Sequence, residues 1–522
     1  MPTQLLLVGI FILFLATTAT PADRAHTLSP SPPPPRSQKA ADEDIEAQRL
    51  YHLWISEGMV SIEDRIGEES IMDIADRYLG EQTLHCPRGG NSTSSSSGNC
   101  HRIMIYLSEQ DAQKKYTPLE MEVTNKHLRA LSFRGSGTEN WIAKLADSQF
   151  NRFKMLRSLK IEGVITPDLT DIHDNSNIPD NVFKLPIGNL IHLRYLSLRS
   201  SKLVISQSSI SNLEHLETPD LKFAEILWTE NVPLRMRRLR YLCLCSFYGL
   251  SPFKIHASNN PEILKGFNAQ NVDIQDFCEL TNVQEMDAIM FEEKCAEEII
   301  NHISNLHKLK KAYIWTNIDR LFSQEKGSTL LRQLFCCSNL QHLLLLGHLG
   351  WKLPNYDSNF LKNLLDLRLD SSYLEEDPMQ ILEKLPNLER LWFWNNVFVG
   401  KEMVCRSTGF PQLRLLVLDF LHSLEKWTVE KLAMLNLSYL EIRSCESLGM
   451  IPEGLRFVEP LKELVIRHMP SEFVNRIREV DGRKGEDFDK ICHIPTVTIT
   501  GEGGSDGCLF SPSAYLIRVI LG

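Results

Sequence analysis

The sequence predicts an α/β solenoid, a curved parallel sheet (a horseshoe) of stacked short units, preceded by a small helical domain. Three observations carry this. A template, Leu-x-x-Leu-x-Leu, recurs from residue 128 to residue 466. The last steps between copies are almost constant in length. Ahead of the first copy, apolar residues fall instead at spacings of three and four, the period of a helix.

The elements follow in chain order. "LLLVGIFILFLA" (5–16) is an apolar run followed by small residues, with cleavage plausible after Ala19 or Ala22. Residues 1–22 therefore form a signal-like segment, although no Lys or Arg precedes the run. The alternatives are a short membrane anchor or a misplaced gene start; the run is short for a spanning helix. Residues 23–42 contain "SPSPPPPRSQ". Such a stretch buries no apolar surface and favours extended polyproline conformations, so it reads as a linker. From Glu43 the helical pattern begins: Leu50, Leu53 and Trp54 make one apolar stripe, and Ile71, Ile74, Ala75, Tyr78 and Leu79 a second. Residues 43–120 are read as one small domain carrying a disordered loop, "GGNSTSSSSGN" (89–99).

The template copies start at Leu128, Leu156, Leu193, Leu213, Leu239, Leu264, Val283, Leu309, Leu340, Leu364, Leu388, Leu413, Leu437 and Leu461, with those at 213, 264 and 283 the weakest. The last six steps are 31, 24, 24, 25, 24 and 24 residues. That spacing and consensus are those of a leucine-rich repeat, assigned here to residues 125–500. One unit cannot bury its own leucines, but stacked units make a continuous core. Template positions 1, 4 and 6 point inward, and positions 3, 5 and 7 face the concave side. A polar residue at position 9 can satisfy backbone groups at the turn, and Asn317, Asn396 and Cys445 fall there. In "NLERLWFWNN" (387–396) this register sends Leu388, Leu391 and Phe393 inward. Arg390, Trp392 and Trp394 face the concave surface, where the two tryptophans either form a contact surface or cover each other. The tail, 501–522, fits no element.

Composition narrows the function. Net charge is -10, from 56 basic and 66 acidic residues, which argues against a nucleic-acid partner because phosphate contacts need a basic face. The cluster "RMRRLR" (235–240) reads as a solvated turn. Twelve cysteines include no C-x-x-C pair, so no metal site is expected. No G-x-S-x-G and no H-E-x-x-H occurs, and no spaced constellation of acid, base and nucleophile emerges, so no catalytic residue is assigned. Beyond the amino-terminal segment, no stretch suggests membrane insertion.

Several stretches resemble one family. "RLYHLWISEGMV" with "EESIMDIADRYLGEQTL" resembles the winged-helix end of the nucleotide-binding region in plant coiled-coil NLR disease resistance proteins. "NKHLRALSFRGS", "VFKLPIGNLIHLRYLSLRSSKL" and "NAQNVDIQDFCELTNVQEM" resemble the start and middle of its repeat region. "MIPEGLRFVEPLKELVIRHMPSEFVNRIREVDGRKGEDFDKICHIPTVTI" resembles its closing repeats. The likeness covers about residues 45–500 and makes residues 43–120 a winged-helix remnant. The full-length family implies ADP or ATP as cofactor. No G-x-x-x-x-G-K-[ST] phosphate loop is present, so no nucleotide is expected to bind this chain. Met104 and Ile105 stand where the family's Met-His-Asp motif has His and Asp.

The resemblance implies innate immunity: a non-enzymatic recognition module whose partner is a pathogen effector, a guarded host protein or another NLR. The candidate protein-binding residues are Tyr313, Trp315, His342, Arg368, Arg390, Trp392, Trp394, Tyr439 and Arg443, all at outward positions near Asp366, Asp370 and Asp419. Aromatics and arginines are favoured interface anchors. The family is cytoplasmic. The alternative is a secreted extracellular repeat protein that binds or inhibits a ligand, supported by the signal-like start and sequons at Asn91 and Asn436.

Overall fold

The structure, a computed structural model, describes residues 102–107, 128–138, 153–165, 185, 187–198, 201–205, 207–221, 225–228, 236–244, 260–268, 274–290, 293–316, 323–480 and 483–500. The signal-like segment, the linker, the helical domain apart from 102–107, Asn91, Asn317 and the 501–522 tail lie outside the described residues.

The strands run in chain order as β1 (Arg102–Leu107), β2 (Ala130–Thr138), β3 (Ser158–Ile165), β4 (Tyr195–Ser197), β5 (Lys202–Ile205), β6 (Thr218–Asp220) and β7 (Glu225–Trp228). Next come β8 (Tyr241–Cys243), β9 (Ile263–Asn268), β10 (Glu285–Met290), β11 (Lys311–Thr316), β12 (His342–Leu346), β13 (Asp366–Asp370) and β14 (Arg390–Trp394). The last are β15 (Glu402–Cys405), β16 (Leu415–Asp419), β17 (Lys426–Val429), β18 (Tyr439–Arg443), β19 (Glu463–Arg467), β20 (Glu479–Val480), β21 (Arg483–Lys484) and β22 (Thr496–Thr500). Eighteen of them form one sheet. From β8 to β22 each repeat contributes one parallel strand to it, paired with its neighbours in the preceding and following repeats. β5 and β7 extend it sideways beyond β3. β15 and β17 pair with each other on the return path, and β20–β21 is a small antiparallel hairpin.

The leucines behave as the template requires. Leu364, Leu367 and Leu369 are fully buried, as are Leu388, Leu391 and Phe393 and their counterparts in the following repeats. Together they form one continuous core. Two repeats carry a helix on the return path: Glu293–Asn305 and Gln324–Phe335 pack their apolar faces into that core.

Four registers differ from the sequence reading. β6 pairs Thr218 with Tyr195, so the copy assigned to Leu213 begins at Leu216. Both leucines are fully buried, because each repeat also carries a core residue three places before the template, and the two phases are locally indistinguishable. The copy assigned to Leu264 begins at Pro261: Leu264 pairs with Leu242 and Met286 and sits at position 4. A further copy begins at Ile494 and forms β22. β1, inside the span read as helical, pairs in parallel with β2.

The turns after the strands use the left-handed region. Ser371, Asn395, Phe420, Ser444 and His468 have φ of 48–54°. Each donates its amide to the carbonyl ending the next strand, at 3.0–3.1 Å. Gly347 does the same at φ 112°, where a Cβ would collide with the Thr316 carbonyl. Among the residues expected to satisfy turns, the Cys445 thiol lies 3.3 Å from the Arg443 carbonyl, whereas at Asn396 it is the backbone N–H that donates, to the Phe420 carbonyl at 2.9 Å. The main asparagine ladder is elsewhere, one residue before the template. Asn363, Asn387 and Asn436 donate Nδ2 to carbonyls of the preceding repeat at 2.9, 2.7 and 2.6 Å. The Asn436 sequon amide is thus part of the frame.

Candidate protein-binding face

The period-two alternation of parallel strands lines the concave face with three rows of side chains. The position-3 row runs Lys311, His342, Asp366, Arg390, Leu415, Tyr439. The position-5 row runs Tyr313, Leu344, Arg368, Trp392, Val417, Glu441. The position-7 row runs Trp315, Leu346, Asp370, Trp394, then Asp419 paired with Arg443 one strand further. All nine candidate residues sit in these rows, and all are half-buried.

Much of the face is already internally partnered. Trp392 and Trp394 do not stand apart in water: their ring centroids are 5.4 Å apart, tilted by 44°. The Arg368 guanidinium lies 5.3 Å from the Trp392 centroid, within cation–π range. The Trp392 indole N–H is buried without an acceptor. Asp366, 2% exposed, accepts from Arg368 at 3.1 Å and from Arg390 at 2.9 Å. Burial alone would raise the Asp366 carboxyl, but the two arginines outweigh it and hold it below its ordinary value. Both arginines keep 37% of their side chains exposed, so each can reach a ligand. Burial pushes the His342 imidazole down, with Asp366 opposing, so at neutral pH it is an uncharged donor and acceptor.

The flanks carry buried charge. Toward β9, Lys265 pairs with Glu285 at 2.7 Å beneath the Tyr313 ring. Burial pushes the Tyr313 hydroxyl up to about 12. Toward β18, Tyr439 donates to Glu441 at 2.6 Å, and burial together with that bond raises its pKa. Glu441 also faces Arg467 at 3.1 Å, and Arg443 lies 3.6 Å from Asp419 and 5.7 Å from the Phe420 centroid. Lys265, Glu285, Glu441 and Arg467 were absent from the sequence-derived set. The outward register already marked Glu285, Glu441 and Arg467, whereas Lys265 became outward only once its repeat was seen to begin at Pro261.

Asp419 is a carboxylate whose burial its nearest arginine does not offset. Burial pushes it up to about 7, with Glu441 and Asp370 adding to the shift against Arg443 and Arg467. A carboxyl raised in the folded state stabilises below its unfolded value, roughly 3.9, and that contribution is lost as pH rises toward the folded one. Asp419→Asn removes this loss. Melting curves at pH 5 and pH 8 are expected to show the variant gaining on the unmutated chain at pH 8; equal pH dependence of the two would refute the assignment.

Among the described residues no group of His, Cys, Asp and Glu could hold a metal ion, and no helix is long and apolar enough to cross a membrane.

A family described as a leucine-rich repeat region matches residues 127–474. Disease resistance protein RPP8 of Arabidopsis thaliana is 30% identical over 480 residues, 87% of this chain and 51% of that protein. Probable disease resistance RPP8-like protein 2 of the same plant is 34% identical over 319 residues, 60% of this chain and 34% of that protein. Probable disease resistance protein RF45, also from Arabidopsis thaliana, is 30% identical over 449 residues, covering 79% and 42%. The chain thus spans about half the length of the curated relatives it matches over most of its own. A sheet of stacked leucine templates and these likenesses agree: the chain belongs to the leucine-rich repeat disease resistance proteins of plants.

Proposed function

We propose that this protein is a non-enzymatic recognition module of plant defence, acting in the cytoplasm, that binds a pathogen effector or a guarded host protein through the concave face of β11–β18. The observation that carries this reading is the contiguous block Arg368, Arg390, Trp392 and Trp394 on two adjacent strands, with partly exposed arginines beside paired rings. Strands lie about 4.8 Å apart, so rows crossing these six strands reach about 24 Å, within the span of a standard interface. The aromatic pair supplies area at low entropic cost, and the guanidinium groups supply directed hydrogen bonds.

The test begins with recovery of the partner by pull-down from plant extract and measurement of its affinity. The double variant Trp392→Ala with Trp394→Ala is then compared with Lys384→Ala, whose exposed side chain lies on the return path beside the Tyr356 ring. The tryptophan pair is expected to lose about 2 kcal/mol or more and the lysine close to nothing. Full affinity in a folded tryptophan variant removes the site while leaving the repeat fold intact.

A further inference from the structure

The asparagine ladder of the later repeats does not extend to those of β3, β4, β6 and β8. At Asn363, Asn387 and Asn436 the side chain just before the template bonds the preceding repeat. In the four early repeats that place holds Met155, His192, His215 and Arg238. Among the described residues none of these four makes the ladder bond. Template position 2, two residues further on, is equally distinctive: it runs Arg129, Arg157, Arg194, Glu217, Arg240. Arg194 donates its amide to the Arg157 carbonyl, and Glu217 donates to that of Arg194, both at 2.8 Å, so these residues stand side by side on successive repeats.

The two rows line a cleft of about 160 Å³, bounded by Met155, Arg157, His192, Arg194, His215 and Arg238. One water needs only roughly 10–15 Å³. The His192 and His215 rings stack with centroids 6.1 Å apart and planes within 9°. Arg157 and Arg194 are half-buried; Arg238, from the "RMRRLR" turn, is exposed. Among the described residues none of these three guanidinium groups has an ion pair or a side-chain hydrogen bond. Burial, then the charges of Arg129 and Arg194, pull the Arg157 pKa down, so like charges crowd here. Glu217 feels Arg194, Arg240 and Arg238 from beyond ion-pair distance, and burial raises its carboxyl against all three.

We propose that this cleft binds a phosphate group, with Arg157, Arg194 and Arg238 as its charge partners and the two imidazoles as further hydrogen-bonding groups. The charge count favours phosphate over carboxylate. A carboxylate offers one charge and two oxygens, which a single arginine fork satisfies. A phosphomonoester carries about −1.5 to −2 charges and three terminal oxygens, enough for several guanidinium groups. A nucleic-acid backbone fits less well, because Glu214 and Glu217 interrupt the basic row and the chain as a whole carries -10. The group arrives on a soluble phosphorylated molecule or on a phosphomonoester lipid headgroup, which present the same chemistry. The cleft lies where the chain enters β3, β4, β6 and β8, apart from the face of β11–β18, so the inference is independent of what that face binds.

Calorimetry on the full chain with inorganic phosphate and pyrophosphate, at fixed salt, tests it, together with flotation on two kinds of vesicle. One vesicle holds phosphatidic acid in phosphatidylcholine; the other holds phosphatidylserine, whose phosphate is a diester. The double variant Arg157→Ala with Arg194→Ala is compared with Arg414→Ala, an exposed arginine at the same template position of a later repeat. Binding of either soluble probe that falls about tenfold or more in the double variant, and is unchanged in Arg414→Ala, supports the site with a soluble source. Binding to phosphatidic acid vesicles alone, with the same loss, supports it with a headgroup source. Melting curves check that the double variant folds, and Arg238→Ala, on an exposed turn, gives a second reading that must weaken binding in the same direction. Unchanged affinity in these variants overturns the proposal, as does a failure of every phosphate probe to bind. So does equal binding to both vesicles, which is surface charge alone, or binding of polyglutamate in place of pyrophosphate, which makes the cleft a seat for an acidic chain.

Discussion

Leu391→Ala is expected to destabilise the protein by about 2–5 kcal/mol, while Trp392→Ala, the next residue, costs about 1–2 kcal/mol. Leu391 is fully buried and paired with Leu367 and Leu416, so truncation leaves a cavity walled by leucines that the stacked strands cannot collapse to fill. Trp392 is half-buried and loses its stacking on Trp394 and the guanidinium of Arg368. Its indole N–H has no acceptor to lose. Urea denaturation followed by circular dichroism reads both. Equal losses in the two variants would mean that inward and outward positions of β14 are wrongly assigned.

Asp487→Ala is expected to cost about 3–5 kcal/mol, because it strips one partner from a buried ionic network. Asp487 is 1% exposed and accepts from Arg476 at 3.0 Å, Lys490 at 2.8 Å and the Ile451 amide at 3.2 Å. Lys490, 10% exposed, also donates to the Ile451 carbonyl at 2.9 Å. The network ties the helix Ser471–Ile477 and the segment before β22 to the repeat that precedes them. Burial alone would raise the Asp487 carboxyl, but the Arg476, Lys490 and Ile451 bonds outweigh it and hold it below its ordinary value. A depressed carboxyl stabilises above the unfolded value, roughly 3.9, and that contribution is lost as pH falls through the folded one. The gap between variant and unmutated chain is therefore full at pH 7 and narrows below about pH 4. A constant gap from pH 7 to pH 3 would show that Asp487 acts through packing alone.

The concave rows were readable in advance because a strand's alternation depends on backbone geometry and not on neighbours. Once Leu388, Leu391 and Phe393 were placed inward, Arg390, Trp392 and Trp394 had only the other side. Regular steps kept that register from β11 to β19. It failed where local pattern is degenerate: Leu213 and Leu216 are three apart and equally apolar, and only the pairing of Thr218 with Tyr195 separates them. It failed again where Pro261 replaced the first leucine and moved the best match to Leu264.

The sequence by itself determined the repeat, its inward and outward positions and the family likeness, because all three depend on residue type at fixed spacing. Only the tertiary structure decided which outward residues are free to act. Whether Arg368 is a ligand donor or a counter-ion depends on Asp366, two residues along the same strand and bonded also to Arg390 on the next. Whether a tryptophan is exposed depends on the ring beside it, and whether Asp419 is charged depends on carboxylates and arginines gathered from three other strands. Such properties arise from distances of 3–6 Å between residues two apart on one strand or some 25 apart on neighbouring strands, and spacing along one chain does not encode how well each charge is compensated across the sheet.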